Sequence, residues 1–327
     1  MIDKTKFLDR RVLMKRFKGI VAFLVIFALV FSLAACSTQN ATKPQETAKP
    51  AEEVKTQFPL KITDFLGREV TIEKQPERIV SLVPSVTELL FAIGAGSKVV
   101  GVTDFDNYPP EVKDIPKVGG FKGPNIEAIT AQKPDIIFAS RLSGKEQMES
   151  LEKMGIPVVV LDAQNFDQIY QSIELLGKIT GNEKKAEKVI NDMKNKIKEI
   201  SDKVKDLPKV KVFYLVSLDG NWTAGKGTFI DEIINLAGGE NVASDVNGWA
   251  QYSIEELVKK NPDVIITSPH AGDVKDLKNM AGYKDTNAVK NDKVFVVSND
   301  DIIVRGTNRI VLGLEEVAKF LHPEAFK

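Results

Sequence analysis

The sequence is poor in the residues that build disulfide scaffolds and metal centres. Its 327 residues include one cysteine, two histidines and two tryptophans. A single cysteine excludes an internal disulfide and any metal site built on cysteine ligands. His270 and His322 lie far apart, and neither has another histidine or a cysteine at ligand spacing. We therefore expect neither a resident metal cofactor nor a binder of free zinc or manganese.

The sequence also lacks an excess of charge of either sign. Its 45 lysines and arginines balance 45 acidic residues, so no basic excess indicates nucleic-acid binding. The balance is uneven along the chain: residues 1–35 contain seven basic and two acidic residues and carry +5, which leaves −5 on the remainder. A basic leader before a mildly acidic body is typical of an exported protein.

The leader has the three parts of a lipoprotein signal. Basic residues between Arg10 and Lys18 precede an apolar run from Ile20 to Phe31, which is short for a stable membrane span. Leu33-Ala34-Ala35-Cys36 follows and is similar to a lipobox, the sequence at which bacterial lipoproteins are cleaved and acylated. Lipidation of Cys36 is favoured over a buried apolar cysteine, and Met14 is an alternative start. Residues 1–36 are predicted to be a lipoprotein signal peptide, which places the protein on the outer face of the cell membrane.

Large apolar residues are almost absent from the next segment. Residues 37–57 hold a single large aliphatic residue, Val54, and no aromatic. Such a segment buries too little surface to fold. We predict a flexible tether over 37–57, with folding from Phe58 and a β-hairpin over Phe58–Ile72.

Short β-branched runs alternate with amphipathic stretches through the rest of the chain. The predicted strands are Ile79–Val83, Val99–Thr103, Ile136–Ala139, Val158–Leu161, Val210–Leu215, Val264–Thr267 and Val294–Val297. This alternation predicts an α/β fold with largely parallel sheets. Between the first two strands, Ser85 and Glu88 form the pattern of a capping box at the start of a helix that ends at Gly94.

A long helix is predicted over Glu183–Leu207, where apolar residues recur at spacings of three and four. Asn182 is a candidate cap, and Pro208 ends the pattern. The helix lies midway along the folded region, so it is either a surface helix of one domain or a rigid connector between two lobes.

An internal repeat favours the connector. Asn125-Ile126-Glu127 with Lys133-Pro134-Asp135 recurs, at a constant offset and without a gap, as Ser253-Ile254-Glu255 with Asn261-Pro262-Asp263. A looser echo pairs the Glu88–Gly94 segment with Glu232–Gly238. We predict two similar Rossmann-like lobes, 58–181 and 209–327, joined by a helix over 182–208, with a ligand cleft between the lobes.

Several of these stretches together resemble one known family. They are Pro76–Leu82, Tyr108-Pro109-Pro110, Asn125–Glu127 with its Lys-Pro-Asp, Gly238–Asn241 and Trp249–Glu255. In this order, and behind a lipobox, they are similar to the substrate-binding proteins whose two lobes are joined by one long helix. Those proteins serve ATP-driven (ABC) importers of cobalamin, ferric siderophores and haem. Within the family, Val102–Pro110 is most similar to the cobalamin-binding members.

The resemblance implies a monomer with two partners, a small-molecule ligand and the permease dimer of an importer. One exposed acid on each lobe meets permease arginines in this family, and Glu127 and Glu255 occupy the matching positions. Two acids, one per lobe, suit docking on a two-fold symmetric basic surface. The alternative is structural, because each acid lies in the first turn of a helix, where the helix dipole favours a carboxylate.

The resemblance also assigns cleft residues. Phe105, Phe121, Trp222 and Trp249 align with cleft aromatics of the cobalamin binders, and each lies in a predicted loop. Rigid aromatic faces suit a macrocycle, although packing at the lobe rim is an alternative. Arg305 matches the family's cleft arginine, whereas Arg309 is expected to be structural.

A corrinoid (cobalamin-like) ligand is therefore predicted, with a ferric siderophore or haem as the alternative. Arg141 leaves the choice open, because a cobalamin-binding member carries an aromatic residue there. An enzyme on the same architecture is disfavoured, because no nucleophile elbow or Walker loop is present. A surface sensor with the same cleft but no transporter is a third possibility.

Overall fold

The computed structural model of the chain describes residues 56–120, 123–272 and 274–327. The predicted signal peptide with Cys36, the predicted tether as far as residue 55, and Phe121 lie outside these ranges. At the start of the described chain, the backbone and hydroxyl of Thr56 both donate to the carboxylate of Glu183. No helix among the described residues combines the length and apolar character that crossing a bilayer requires.

The predicted hairpin is confirmed and covers one edge of the first sheet. Strands β1 (Leu60–Thr63) and β2 (Glu69–Ile72) pair antiparallel. In the turn between them, the carboxylate of Asp64 forms an ion pair with the guanidinium of Arg68, with 2.7 Å between Oδ2 and Nη2. The same turn bonds the strand that contains Val160, through the Phe65 N–H to the Val160 carbonyl (3.0 Å) and the Val160 N–H to the Asp64 carboxylate (3.3 Å).

The first half of the fold is a wholly parallel four-stranded sheet with helices. Its elements are β3 (Ile79–Ser81), α1 (Pro84–Ala92), β4 (Val99–Gly101), β5 (Gly119–Gly120), β6 (Gly123–Pro124), α2 (Ile126–Ala131), β7 (Ile136–Ala139), α3 (Lys145–Lys153), β8 (Val158–Val160) and α4 (Phe166–Thr180). The strand order is β4-β3-β7-β8. Strands β3, β7 and β8 are buried along their whole length, which explains their uninterrupted apolar runs.

The second half is built around a mixed sheet. Its elements are α5 (Glu183–Val204), β9 (Val210–Ser217), β10 (Trp222–Ala224), α6 (Phe229–Leu236), β11 (Gly239–Asn241), β12 (Trp249–Gln251), α7 (Ile254–Lys260), β13 (Val264–Thr267), α8 (Val274–Leu277), α9 (Asn287–Lys290), β14 (Val294–Val296), α10 (Asp301–Val304) and α11 (Ile310–Leu321). The order is β12-β10-β9-β13-β14, with β11 beside the start of β9. Strands β9, β13 and β14 are parallel, whereas β10 and β12 are antiparallel.

The antiparallel strands overturn one expectation. Trp222 and Trp249 were expected in loops, but each begins a short strand, and the two strands form a ribbon. The chain turns back at Gly220, which adopts a left-handed φ of 73° that glycine tolerates without strain. This local reversal places β10 antiparallel beside the end of β9.

The long helix α5 has 22 residues, which corresponds to about 33 Å. It follows the last element of the first half, precedes the first strand of the second, and packs against α4 and α11. The helix ends at Val204, one turn before the predicted end. The Asn182 side chain does not cap its start, because the amide instead donates to the Thr180 carbonyl (3.1 Å).

The internal repeat is visible in the backbone. Lys133 and Asn261 occupy the same repeat position and both adopt the left-handed conformation, with φ of 49° and 48°. Each is followed by a proline, an aspartate and a central strand, β7 or β13. The Asp135 carboxylate accepts hydrogen bonds from the N–H groups of Glu77 and Arg78, at 3.0 Å each. These are the two residues that precede β3.

The second copy of this motif makes a weaker version of the same contact. The Asp263 carboxylate accepts the N–H of Lys211, in strand β9, at 3.4 Å. The repeated Pro-Asp therefore ties each central strand to its neighbour in the sheet. The two helix caps of the repeat are also confirmed, because the Asn125 side chain accepts the Ala128 N–H and the Ser253 hydroxyl accepts the N–H groups of the first turn.

The predicted capping box at Ser85 and Glu88 is wrong. Helix α1 begins at Pro84, and no side chain caps it. Proline at the first helical position needs no hydrogen-bond partner for its nitrogen. Glu88 is consequently free of a capping role and is buried within the fold.

Candidate functional site

A cavity of 340 Å³ opens at the carboxyl ends of the parallel strands of the first sheet. Residues that follow β3, β4, β7 and β8 line it, together with the glycine hairpin β5–β6. They are Leu82, Val83, Pro84, Thr103, Phe105, Gly119, Gly120, Gly123, Pro124, Ser140, Leu142, Ser143 and Asp162. This edge is where open α/β sheets bind ligands.

A second cavity, of 290 Å³, lies where the two halves of the fold face each other. The first half contributes Ser85, Ala163 and Gln164, and the second contributes Phe229, Trp249, Val304, Arg305 and Gly306. Val83, Pro84 and Asp162 line both cavities. The two spaces are therefore neighbouring compartments of one cleft, which we call the interlobe cleft.

Two aromatic side chains line this cleft and a third, Trp222, lies on the ribbon outside both compartments, each with much of its surface exposed. Phe105 is 41% exposed, Trp222 40% and Trp249 38%. Phe105 lines the first compartment and Trp249 the second. The ribbon register pairs Trp222 with Gln251 and Ala224 with Trp249, so both tryptophans project from the same face of the ribbon.

Trp249 is oriented by contacts from both halves. Its ring packs edge-on against Phe229, with the ring centroids 5.7 Å apart. Its indole Nε1–H donates to the Gln164 side chain at 3.4 Å. These contacts restrict the rotamers of the Trp249 side chain, while a large apolar face of its ring stays open to the cleft. The side chain therefore loses little rotamer entropy when a ligand binds, and this favours binding.

Arg305 lines the second compartment, but its terminal nitrogens are already engaged. Nη1 donates to the Glu88 carboxylate and to the Asn107 side-chain oxygen, both at 2.8 Å. Nη2 pairs with Asp301 at 2.9 Å and reaches the Phe105 carbonyl at 3.3 Å. Arg305 therefore joins the second half of the fold to the Phe105–Asn107 loop of the first.

Arg309, the residue immediately before α11, completes this cluster. Its guanidinium bonds both carboxylate oxygens of Glu88, at 2.8 and 2.9 Å. Tyr108 covers it, with the ring centroid 3.9 Å from the guanidinium carbon. The sequence singled out Glu88 only as half of a capping box, and that pattern gave no sign of this cluster.

A third arginine at the cleft is also paired. Arg141 Nε lies 3.0 Å from the carboxylate of Asp162, the acid that both compartments share. The three arginines at the cleft thus each face a carboxylate. Sequence reasoning missed Asp162, whose only signal is its position immediately after a strand.

Leu142 is a further residue that sequence reasoning missed. It lines the first compartment and is 93% exposed. The turn beneath it is closed by reciprocal bonds between Ser140 and Ser143. An aliphatic side chain held out in solvent at the mouth of the cleft is well placed to contact a ligand.

Glu127 and Glu255 occupy matching places in the two halves. Each is the second residue of a short helix, α2 or α7, whose next strand is the central strand of its sheet. Both side chains are exposed, and neither makes a hydrogen bond or ion pair with the described residues. His270 is exposed at the end of β13 and lines neither compartment.

A larger groove, of 700 Å³, lies outside the interlobe cleft. It runs along β2 and past the starts of β7 and β8, from Arg68–Lys74 to Pro134–Asp135 and Gly155–Val158. None of the residues predicted to bind ligand lines it. The amino ends of parallel strands are not the usual binding edge of such sheets, so we assign the ligand to the smaller cleft.

Two α/β halves that face each other across a cleft lined by aromatic side chains have the architecture of a solute-binding protein. Comparison with known proteins identifies the family. A family described as periplasmic binding protein matches residues 79–300. The chain belongs to that family, and it is a substrate-binding protein of an ABC transporter rather than an enzyme.

Individual relatives are similar over most of their length. An uncharacterised ABC transporter substrate-binding lipoprotein of Bacillus subtilis is 39% identical over 96% of this chain and 100% of its own. A cobalamin-binding protein of Halobacterium salinarum is 30% identical over 90% of this chain and 80% of its own. A solved structure from Staphylococcus epidermidis, described as a possible iron-binding solute-binding protein, is 33% identical with a TM-score of 0.69, covering 76% of this chain and 99% of its own.

Proposed function

We propose that this protein captures a corrinoid outside the cell and delivers it to an ABC importer. The observation that carries the proposal is the composition of the cleft: exposed aromatic faces beside arginines that are already paired with acids. A corrin ring offers a broad, largely apolar surface with amide groups at its edge. Stacking and apolar contact would supply most of the affinity.

The paired arginines argue against the main alternative. A ferric siderophore of the catecholate type is strongly anionic and needs cationic groups that are available to it. Here an incoming anion must compete with Glu88, Asp301 or Asp162 for an arginine. The cobalamin-binding relative supports the corrinoid, whereas the possible iron-binding relative supports the siderophore.

Individual residues have distinct roles in the proposed complex. Trp249 and Phe105 contact opposite sides of the ligand, and Trp222 extends the aromatic surface on the ribbon. Arg305 contacts polar groups at the ligand's edge. Phe121, which lies outside the described residues, belongs to the same proposed aromatic set.

Delivery uses the two exposed acids. Glu127 and Glu255 dock on basic residues of the permease dimer, one acid for each subunit. Their matching positions in the duplicated halves support this assignment, because a two-fold receptor is best matched by two equivalent contacts. The rigid spacing of the halves by α5 would set the separation of the acids.

Attachment to the cell is assigned to Cys36. Lipidation there, after removal of the residues before it, would hold the protein on the outer face of the cell membrane. The tether then lets the folded part reach the permease. The lipobox pattern supports this assignment, as does the lipoprotein description of the Bacillus subtilis relative.

A ligand panel tests the proposal directly. The purified protein is titrated with cyanocobalamin, cobinamide, haem and a ferric tricatecholate. Binding is followed by tryptophan quenching, since Trp249 lines the cleft and Trp222 lies on the same ribbon. We expect saturation by the corrinoids at micromolar concentration or below, and much weaker binding of the ferric complex. Tight binding of the ferric complex or haem alone would overturn the corrinoid assignment.

A further inference from the structure

The buried acid Glu88 carries an inference about how the cleft selects ligands by charge. Its carboxylate is completely buried, with 0% of the side chain exposed, and both its oxygens accept arginine donors. A buried carboxylate is costly unless it is paired and fully hydrogen-bonded. Two guanidinium groups satisfy this requirement, because Arg305 and Arg309 together donate to both oxygens of Glu88.

The cluster around Glu88 is electrically balanced. Two acids, Glu88 and Asp301, face two arginines, Arg305 and Arg309. Tyr108 shields Arg309, which leaves Arg305 as the cation that a ligand meets, with 15% of its side chain exposed. A guanidinium has four terminal N–H donors, and the four partners of Arg305 occupy its two terminal nitrogens.

We propose that Glu88 is a specificity-determining residue. It neutralises the positive charge of Arg305 from outside the cleft, so that the cleft rejects anionic ligands and accepts uncharged ones. This inference rests on the proposed function, since it explains why a corrinoid is preferred to an anionic iron complex. Glu88 lines neither compartment of the cleft, so it acts through the arginines and touches no ligand.

The duplicated fold supplies a matched control. Glu232 on α6 is the counterpart of Glu88 on α1 in the looser repeat, and it also reaches across to the other half. Its carboxylate accepts the Phe166 N–H, at the start of α4, at 2.8 Å, and no ion pair joins it to an arginine among the described residues. Replacing Glu232 with glutamine removes a carboxylate that bonds the other half of the fold, but it leaves no arginine without its acid partner.

The test compares Glu88→Gln, Glu232→Gln and the unmodified protein. Calorimetric titrations use cyanocobalamin as the uncharged probe and a ferric tricatecholate as the anionic probe. We expect Glu88→Gln to bind the anion about tenfold more tightly, a change of the size that releasing one partly buried charge produces. Raised salt should reduce this gain, because the screening length falls. Glu232→Gln should leave anion binding unchanged.

Two further variants separate charge from shape. In Glu88→Gln combined with Arg305→Gln, the gain for the anion should disappear. If Glu88→Gln fails to fold, Asp301→Asn releases Arg305 from its other acid at a more exposed position, and the same gain is expected. No gain for the anion in any variant that folds, or an equal gain in Glu232→Gln, would refute the inference.

The outcomes distinguish this inference from the function on which it rests. Failure of the unmodified protein to bind corrinoids would remove the proposed function, whereas the response of the variants to the anion would still report on Glu88. Corrinoid binding together with an unchanged anion affinity in Glu88→Gln and Asp301→Asn would leave the function and exclude the role of Glu88.

Discussion

Trp249 is the cleft residue that we expect to contribute most to ligand affinity. Its indole is held between Phe229 and Gln164, yet 38% of its surface is exposed. A pre-oriented aromatic face of this kind is typical of residues that dominate binding energy. The sequence shows the tryptophan but not its two restraining partners, which come from different halves of the fold.

Replacing Trp249 with alanine should weaken corrinoid binding by tenfold or more, because it removes a stacking face worth about 1.5–3 kcal/mol. The melting temperature should change little, since much of the side chain is already in solvent. Trp222 remains as the fluorescent reporter of binding. Leu312→Ala is the matched control: it removes an exposed apolar side chain that lines neither compartment. Equal affinity in both variants would exclude Trp249 from the site.

The ion pair between Arg305 and Glu88 could not be predicted from the sequence. The family resemblance predicts Arg305 as a cleft cation, and the structure places it in the lining of the second compartment. Its pairing with Glu88 joins residues that are far apart in the chain. No local pattern encodes such a pair, because only the approach of two separate helices creates it.

At the scale of elements, the β1–β2 hairpin stabilises the fold by covering the outer edge of β8. An uncovered edge strand is prone to pair with other chains. Burial alone would raise the pKa of Asp64. The hydrogen bonds from the Arg68 side chain and from the backbone N–H groups of Arg68, Val160 and Leu66 outweigh this effect, so that the pKa lies below the ordinary 3.8. The carboxylate form is therefore the one that the fold stabilises.

Replacing Asp64 with asparagine should reduce the free energy of unfolding by about 2 kcal/mol at neutral pH. Because the pKa of Asp64 is lower in the folded protein than in the unfolded chain, its contribution is complete above about pH 4 and is lost as the pH falls towards the folded value. The difference between variant and unmodified protein, measured by denaturant unfolding, should therefore shrink below that pH. Glu69→Gln, which breaks the exposed pair with Lys61, is the control and should have little effect.

The strands were largely predictable from sequence because most of them are buried on both faces. Ile136–Ala139 and Val264–Thr267 were predicted with the observed bounds. Strands β10 and β12 were not predicted, because three-residue strands with one exposed face carry no clear periodicity. The pairing of β10 with β9 follows from the reversal at Gly220, which a sequence pattern does not distinguish from an ordinary loop.

At the scale of the whole molecule, duplication produces two facing halves and places one exposed acid at the same position in each. The repeat places Glu127 and Glu255 in equivalent first turns, and the related Asp135 and Asp263 tie the central strands to their neighbours. The aspartates are explained by folding alone. The glutamates are not, because their exposed side chains make no hydrogen bond or ion pair with the described residues.

Replacing both Glu127 and Glu255 with lysine should abolish ligand uptake by cells while leaving corrinoid affinity within about twofold, since neither side chain lines the cleft. Each single variant should reduce uptake partially. Glu187→Lys reverses an exposed acid on α5 and serves as the control for net charge. Uptake that survives the double variant would favour a sensor with the same cleft, or another docking surface.

The amino-acid sequence by itself determined the strand and helix types, the repeat and the family, because periodicity, caps and repeated motifs are local or nearly local signals. It also determined which side chains were candidates for the cleft. Only the tertiary structure decided that the arginines of the cleft are neutralised, that Trp249 is held from both halves, and that Glu88 is a buried partner rather than a cap. These features depend on where separate elements meet, and that meeting is set by packing of the whole chain.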